Sequence, residues 1–413
     1  MPMIVYFLTI SRAGGSVKLL LLLALGLFFA CSHSSEEWTS FADFEEQEST
    51  MICWNEQHKN TLIPLIARIS QHDRVTLFYN EKYHRPAEVA AQLLGSSADL
   101  EKVTLSPFSL EKDNIWIRDY GPSFMKDTKG NSRVVGFGYP HQEYTDYQNF
   151  AEHFSSRMEI PFYRSRLQSV GGGREVNSKG TILLIEGYEK EINPGLSKPE
   201  IEEEYRQRFG QKHVIWLKRG IPQDDFMGYG PVMENIYGYG TNWHVDEFCR
   251  FVDASTLLLA EVSEEDMERH AFYRLVHERL EENYQILKNA TAQDGKPFRI
   301  IRVPQAPVIF TATQRDSAEI LYTPVTSYLN FVITNHSVII PTYHTEGAAD
   351  YIRQKDEEAM SIFRQAFPTR EVWAVNALEL NYKGGGLHCV TLPQPRKKAV
   401  SESTLFGFLR KRG

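Results

Sequence analysis

The sequence predicts an α/β fold built as one large domain, and three observations carry that expectation. Short apolar runs alternate with amphipathic stretches from about residue 54 to residue 395. The chain has 413 residues, enough to bury a sizeable core. Its composition is that of a globular protein, with no charge block and no long low-complexity tract.

The N-terminus stands apart from that pattern. Lys18 precedes the run LLLLLALGLFFA, which is too short to span a bilayer comfortably, and a polar stretch follows from Ser32. A basic residue, a short apolar core and small residues before a polar segment describe a secretory signal, so residues 1–31 are read as a leader. Its FFAC ending resembles a bacterial lipoprotein signal with Cys31 as the lipidated residue, although Phe28 and Phe29 depart from the usual pattern. The expectation is export to a bacterial envelope or periplasm, with membrane anchoring through the N-terminus as its finer form. An uncleaved anchor is the alternative. Residues 32–53, acidic and polar, read as a tether.

Within the domain, RVTLFYN (74–80) and KVTLSP (102–107) read as strands, with a helix at Pro86–Leu94 between them. GTILLIEG (180–187) is a further buried strand. Ser197 with Glu200 three residues on is a capping box, opening a helix that ends at Gly210. HVIWL, STLLLAEV, a helix over 264–288, FRIIRV, HSVIIP, a helix over 348–367 and EVWAV continue the alternation. No repeat is visible by eye. Residues 396–413 form a basic tail, expected to be disordered.

Charge and motifs exclude some functions. With 45 basic and 53 acidic residues the formal charge is −8, and no basic stripe exists to track phosphates, so nucleic acid is not an expected partner. A phosphate-binding G-x-x-x-x-G-K-[ST] loop is absent, and Gly171-Gly172-Gly173 lacks the helix and spacing of a dinucleotide site. No C-x-x-C spacing suggests zinc. An acidic chain does suit a cationic ligand.

Three polar clusters remain beside apolar strands. NIWIRDYGPSF carries Trp116, Arg118 and Asp119 ahead of a Gly121-Pro122 bend; alone, it reads most simply as a surface Arg118–Asp119 pair. In TNWHVDEFCRFV, His244 and Asp246 would share one face of an extended segment, as a catalytic, metal-binding or structural pair. KGGGLHCVTLPQP delivers Cys389 after a glycine stretch, Gly384–Gly386, read as a flexible hinge into a short β-like segment. On a strand His388 would face away from Cys389, so His244 is the better base for a cysteine nucleophile. Cys53 and Cys249 either pair or stay as free buried thiols.

A thiolate, a histidine and two separate aspartates fit attack on a guanidinium. That group is planar and permanently cationic, and carboxylates grip it through paired charge-assisted hydrogen bonds. WIRDYGP, WHVDEFCRFV, SYLNFVITN and GGGLHCVT together resemble the agmatine deiminases and the Porphyromonas-type peptidyl-arginine deiminases, in order from Trp54 to Pro395. NPGLSKPEIEE and VIWLKRG look like the agmatine branch. The resemblance implies a pentein fold, five ββαβ units around a central site, with no metal or organic cofactor. It puts the guanidinium-binding aspartate on Asp119, the His-x-Asp pair on His244 and Asp246 and the nucleophile on Cys389. Trp116 and Asn330 are further candidates for substrate contact, with a structural role for Asn330 equally open.

Two departures bear on the substrate. Agmatine deiminases typically read Glu-Gly-Gly-Asn where this chain has Val170-Gly171-Gly172-Gly173, so an acid is missing. Tyr120 looks like the peptidyl-arginine type, whereas Ser123 does not. With export added, the reading leans to conversion of peptidyl arginine to citrulline, over agmatine giving N-carbamoylputrescine. An amidinotransferase and an inactive exported guanidinium-binding protein are the rivals; oligomeric state stays open.

Overall fold

The computed structural model describes residues 37–315 and 317–396. The leader with Cys31, and the tail beyond Arg396, lie outside those residues. The described chain enters through β1 (Thr39–Ser40) and β2 (Gln47–Cys53), so the expectation of a tether over 32–53 is corrected from residue 39 onward. β2 lies parallel to β3 (Val75–Asn80), which lies parallel to β4 (Val103–Phe108). Its polar residues hid it from sequence reading, and they are buried because they are bonded: Ser49 Oγ lies 2.9 Å from Thr76 Oγ1, and Gln47 Nε2 donates to the Ile333 carbonyl at 2.7 Å. Between β2 and β3, α1 (Lys59–Ser70) buries Leu62, Leu65, Ile66 and Ile69, one helical face, in a cluster with Ile52, Val75 and Leu77. α2 (Pro86–Leu94) follows β3 as expected.

One backbone path then recurs. After α3 (Ile117–Tyr120), β5 (Ser123–Lys126) pairs antiparallel with β6 (Ser132–Gly138), and α4 (Phe150–Arg157) returns the chain to β7 (Phe162–Gln168), parallel to β6. β8 (Arg174–Val176), β9 (Thr181–Ile185), α5 (Glu186–Ile192), α6 (Lys198–Phe209) and β10 (His213–Leu217) repeat it. The α6 capping box is present, and Gly210 closes the helix in the left-handed region at φ 69°. After β11 (Ile236–Tyr239) the next unit is β12 (Cys249–Phe251), β13 (Thr256–Glu261), α7 (Glu264–Arg269), α8 (Ala271–Asn289) and β14 (Arg299–Pro304). The single helix expected over 264–288 is two, because His270 is extended and its Nδ1 accepts from Phe272 N at 3.0 Å, capping α8.

β15 (Thr311–Arg315) and β16 (Ala318–Pro324) form a separate sheet with β11. The fourth unit is β17 (Val332–Ile333), β18 (Ser337–Thr342), α9 (Asp350–Ala366) and β19 (Glu371–Asn376). Past α10 (Leu378–Asn381), β20 (Thr391–Pro395) pairs antiparallel with β2, and β2 is parallel to β3. The fifth unit is therefore assembled from both ends of the chain. The repeat that the sequence conceals lies in this pattern, an antiparallel pair and then a parallel return through helix, made five times.

Cys53 and Cys249 are free and buried, which settles their alternatives. Burial pushes the Cys53 thiol up to about 12, and its Sγ lies 3.0 Å from Tyr120 Oη. No helix among the described residues is long and apolar enough to cross a membrane.

Candidate active site

Each unit opens with a residue just ahead of its first strand, and these openings supply the site. Asp119 precedes β5, Gly172 precedes β8, Asp246 and Glu247 precede β12, Asn330 precedes β17 and Cys389 precedes β20. Residues scattered over the sequence thus occupy equivalent places in five units.

Cys389 is only 2% exposed and sits in a turn before β20, one correction to its expected place on a strand. Asn330 Nδ2 donates to its Sγ at 3.3 Å and to Glu247 Oε1 at 2.8 Å. Glu247 Oε1 is 3.8 Å from the sulfur and Asp246 Oδ2 4.0 Å. Asn330 is therefore part of the thiol's surroundings. The glycines before Cys389 act through close approach rather than as a flexible hinge. A Cβ on Gly385 would lie 2.6 Å from the Trp116 ring and 3.2 Å from Cys389 Sγ, so only glycine fits beside both. The Gly385 carbonyl is pinned by Asn381 Nδ2 at 2.9 Å.

Asp119 sits on α3, which docks on the cysteine turn through Arg118 N to the Cys389 carbonyl, 3.2 Å. Its Oδ1 accepts from Gly172 N at 3.0 Å. The expected surface pair with Arg118 is not formed. Arg118 turns inward and forks onto Asp43 at 3.1 and 2.9 Å.

His244 and Asp246 do converge, but through a 3₁₀ turn at Val245–Glu247 and not along a strand. A Cβ on Gly172 would meet His244 Nδ1 at 2.6 Å and Asp246 Oδ2 at 3.0 Å, so both side chains close on that glycine. The turn before His244 is strained, with Asn242 and Trp243 at φ 75° and 76°. Buried Asp224 holds it: its carboxylate accepts from Thr241 N and His244 N, each at 2.6 Å, and from Thr241 Oγ1 at 3.0 Å. Tyr188 packs edge-on to the His244 ring at 5.5 Å.

A profile of the Porphyromonas-type peptidyl-arginine deiminases matches residues 38–395. The chain belongs to this family. Its reaction class is hydrolysis at the C–N bonds of a guanidino group. A Streptomyces coelicolor protein, provisionally named an agmatine deiminase, is 29% identical over 368 residues, 86% of this chain and 93% of that one. A Streptomyces avermitilis protein with the same provisional name is 30% identical over 320 residues, 76% and 81% of the two chains. Among solved structures, the agmatine deiminase of Enterococcus faecalis matches with a TM-score of 0.70 at 23% identity, over 88% of this chain and 97% of its own. A provisionally named arginine deiminase of Porphyromonas gingivalis gives 0.69 at 22%, over 87% and 99%. The fold of this deiminase is the pentein fold that the five units describe.

Electrostatically, the site of the deiminase is poised to hold protons. Burial first, then Asp246, Glu247 and Asp119, push the Cys389 thiol well above its ordinary range. Burial and the neighbouring Asp246 and Asp224 push Glu247 up as well. Cys389, Asp246 and Glu247 bring donor atoms within 4.8 Å of one another, with Asp246 Oδ2 bonded to His388 and Glu247 Oε1 to Asn330. Sequence reasoning missed Asp43, Glu247 and Asp224, and weighed His388 only as a base for Cys389. Glu247 and His388 lie inside the quoted motifs, whereas nothing local marks Asp43.

Proposed function

We propose that this deiminase hydrolyses the guanidinium of a small arginine-type cation, with agmatine the first candidate, through a covalent thiouronium on Cys389. The supporting observation is a set of buried polar atoms with no protein partner: Asp246 Oδ1, Glu247 Oε2 and both ring nitrogens of His244. Leaving such atoms unbonded is costly, and a guanidinium, with five N–H donors in one plane, answers the two carboxyl oxygens. Asp119 and Asp246 would hold the cation. Its charge then opposes the carboxylates that keep the thiol protonated, so with substrate in place the S–H proton passes to His244 and the thiolate forms.

In the first half-reaction the Cys389 sulfur bonds to the guanidinium carbon, protonated His244 gives its proton to the departing nitrogen, and ammonia leaves. In the second, neutral His244 takes a proton from water, the oxygen bonds to the same carbon, and the C–S bond breaks to release the ureido product. Asn330, donating to the sulfur, stabilises the thiolate.

Agmatine is placed first because a nucleophile 2% exposed beside Trp116 suits an unbranched aminobutyl chain better than the backbone of a folded protein. The named relatives support the same choice. Peptidyl arginine is the second reading, favoured by Val170: it is fully buried and apolar where an agmatine pocket would use an acid. Ammonia release from agmatine, free arginine and peptides with internal or terminal arginine, against the Cys389→Ala protein, ranks the substrates. Residual release by that variant would sink the assignment of the nucleophile. We also place the enzyme in the bacterial envelope, on the strength of the leader; palmitate labelling lost in Cys31→Ala tests the lipid anchor.

A further inference from the structure

His388 has no part in the chemistry above, yet it is bound at both ring nitrogens. It is 1% exposed, with Nδ1 2.6 Å from Asp246 Oδ2 and Nε2 2.7 Å from Asp43 Oδ2. Asp43 also takes the Arg118 fork and Arg250 Nη2 at 3.0 Å. Burial alone would raise the Asp43 carboxyl, but Arg118, His388 and Arg250 outweigh it and hold the group well below the usual carboxylate range. A carboxylate only accepts, so His388 Nε2 carries a hydrogen toward Asp43. The 2.6 Å contact on the other side then needs one proton. It lies either on Asp246, beside neutral His388, or on Nδ1, making an imidazolium and a carboxylate.

Those two states contain the same number of protons and the same net charge, and differ in whether Asp246 and His388 are both neutral or both charged. Among the protein's own groups they are unequal. Burial is the largest influence on Asp246 and raises it, with Asp119 and Asp224 helping and Arg250 and Arg118 opposing. Burial, Arg118 and Arg250 push His388 down, against Asp43. Cys389 and Glu247 also neighbour Asp246, His244 closes with it on Gly172, and Glu175 faces the pair through Arg250. Both directions put the resting proton on Asp246.

We propose that the Asp43–His388 pair is a proton store for Asp246: when a guanidinium settles on Asp246 Oδ1, the proton crosses from Oδ2 to Nδ1, and it returns once the cation has become a neutral ureido group. The O–H bond breaks and an N–H bond forms, Nε2–H keeps facing Asp43, and no proton reaches solvent. Asp246 is then fully charged only while a cation occupies the site, and the neutral product faces a carboxylic acid. His388 is thus a positioning residue that sets the charge of Asp246. The inference rests on the reading that Asp246 holds the guanidinium.

The test is calorimetric binding of agmatine to the Cys389→Ala protein, in buffers of different ionisation heat, with and without His388→Gln. The His388→Gln protein should release close to one more proton than its parent. Its agmatine affinity should rise about tenfold per pH unit above the ordinary carboxylate range, while the parent stays flat over the same range. Equal proton release with binding retained would overturn the store and leave the guanidinium reading standing. No binding of agmatine or of arginine-terminated peptides to the parent would overturn both. Infrared difference spectra of the parent keep the inference testable if His388→Gln does not fold. A carboxylic-acid band must vanish on agmatine binding, also in a Glu247→Gln background, and its persistence would overturn the store.

Discussion

Cys389 and His388 are adjacent in sequence, and the turn before β20 sends them to different partners, the thiol to Asn330 and the imidazole to Asp43 and Asp246. The motifs made Cys389, His244, Asp246 and Asp119 legible because each sits in a short distinctive string. Asp43 was not legible: its bond to His388 spans 345 positions, and its own surroundings in sequence are only acidic and polar. At this scale the sharpest steric prediction concerns Gly385. Gly385→Ala puts a methyl against the Trp116 ring and the thiol, an overpacking worth about 1–3 kcal/mol. The expected result is a soluble protein whose kcat falls at least tenfold; unchanged kcat would show that Trp116 and Cys389 do not meet there. Asp119→Asn should also remove most ammonia release, since the amide keeps the shape and loses the charge that grips a cation.

Among the elements, strands with apolar cores read out to within a residue or two, as at β3, β10 and β19. β2 did not, because Gln47, Ser49 and Thr50 are buried by partners far away in sequence. The turn at 241–244 was likewise unreadable, since its strained backbone is held from Asp224, on a different stretch. Asp224→Asn replaces charge-assisted hydrogen bonds worth about 1.5–3 kcal/mol each with weaker ones. It should lower kcat while leaving agmatine binding by the Cys389→Ala protein within a few-fold; equal loss of both would mean that the turn supports more than His244. On α5, burial raises Glu189 to about 8, with Arg174 and Tyr205 only partly opposing it. The folded chain therefore holds a proton that the unfolded chain loses above the ordinary value of 4.5. Stability from this group falls as pH rises from there through about 8, by a few kcal/mol in all. Glu189→Gln should flatten that decline in thermal melts taken across the interval, and parallel wild-type and variant curves would contradict the assignment.

For the molecule as a whole, β20 and β2 close the ring of units, and the closing strand carries Cys389, the proposed nucleophile, at its entrance. The domain start inferred from composition, residue 54, cuts away β1, β2 and Asp43; the observed start lies near residue 37. A chain beginning at residue 37 should fold and deiminate, whereas one beginning at residue 54 should not fold, as circular dichroism and ammonia assays on both would show. The central claim is that Cys389 carries the substrate through a thiouronium formed with loss of ammonia. Intact-mass analysis of enzyme quenched in acid during turnover of agmatine tests it most directly. The account predicts an adduct on Cys389 of the mass of agmatine less ammonia, absent from Cys389→Ala. An adduct of the amidino group alone, without the aminobutyl chain, would make the protein an amidinotransferase, and turnover with no adduct in any quench would contradict covalent catalysis.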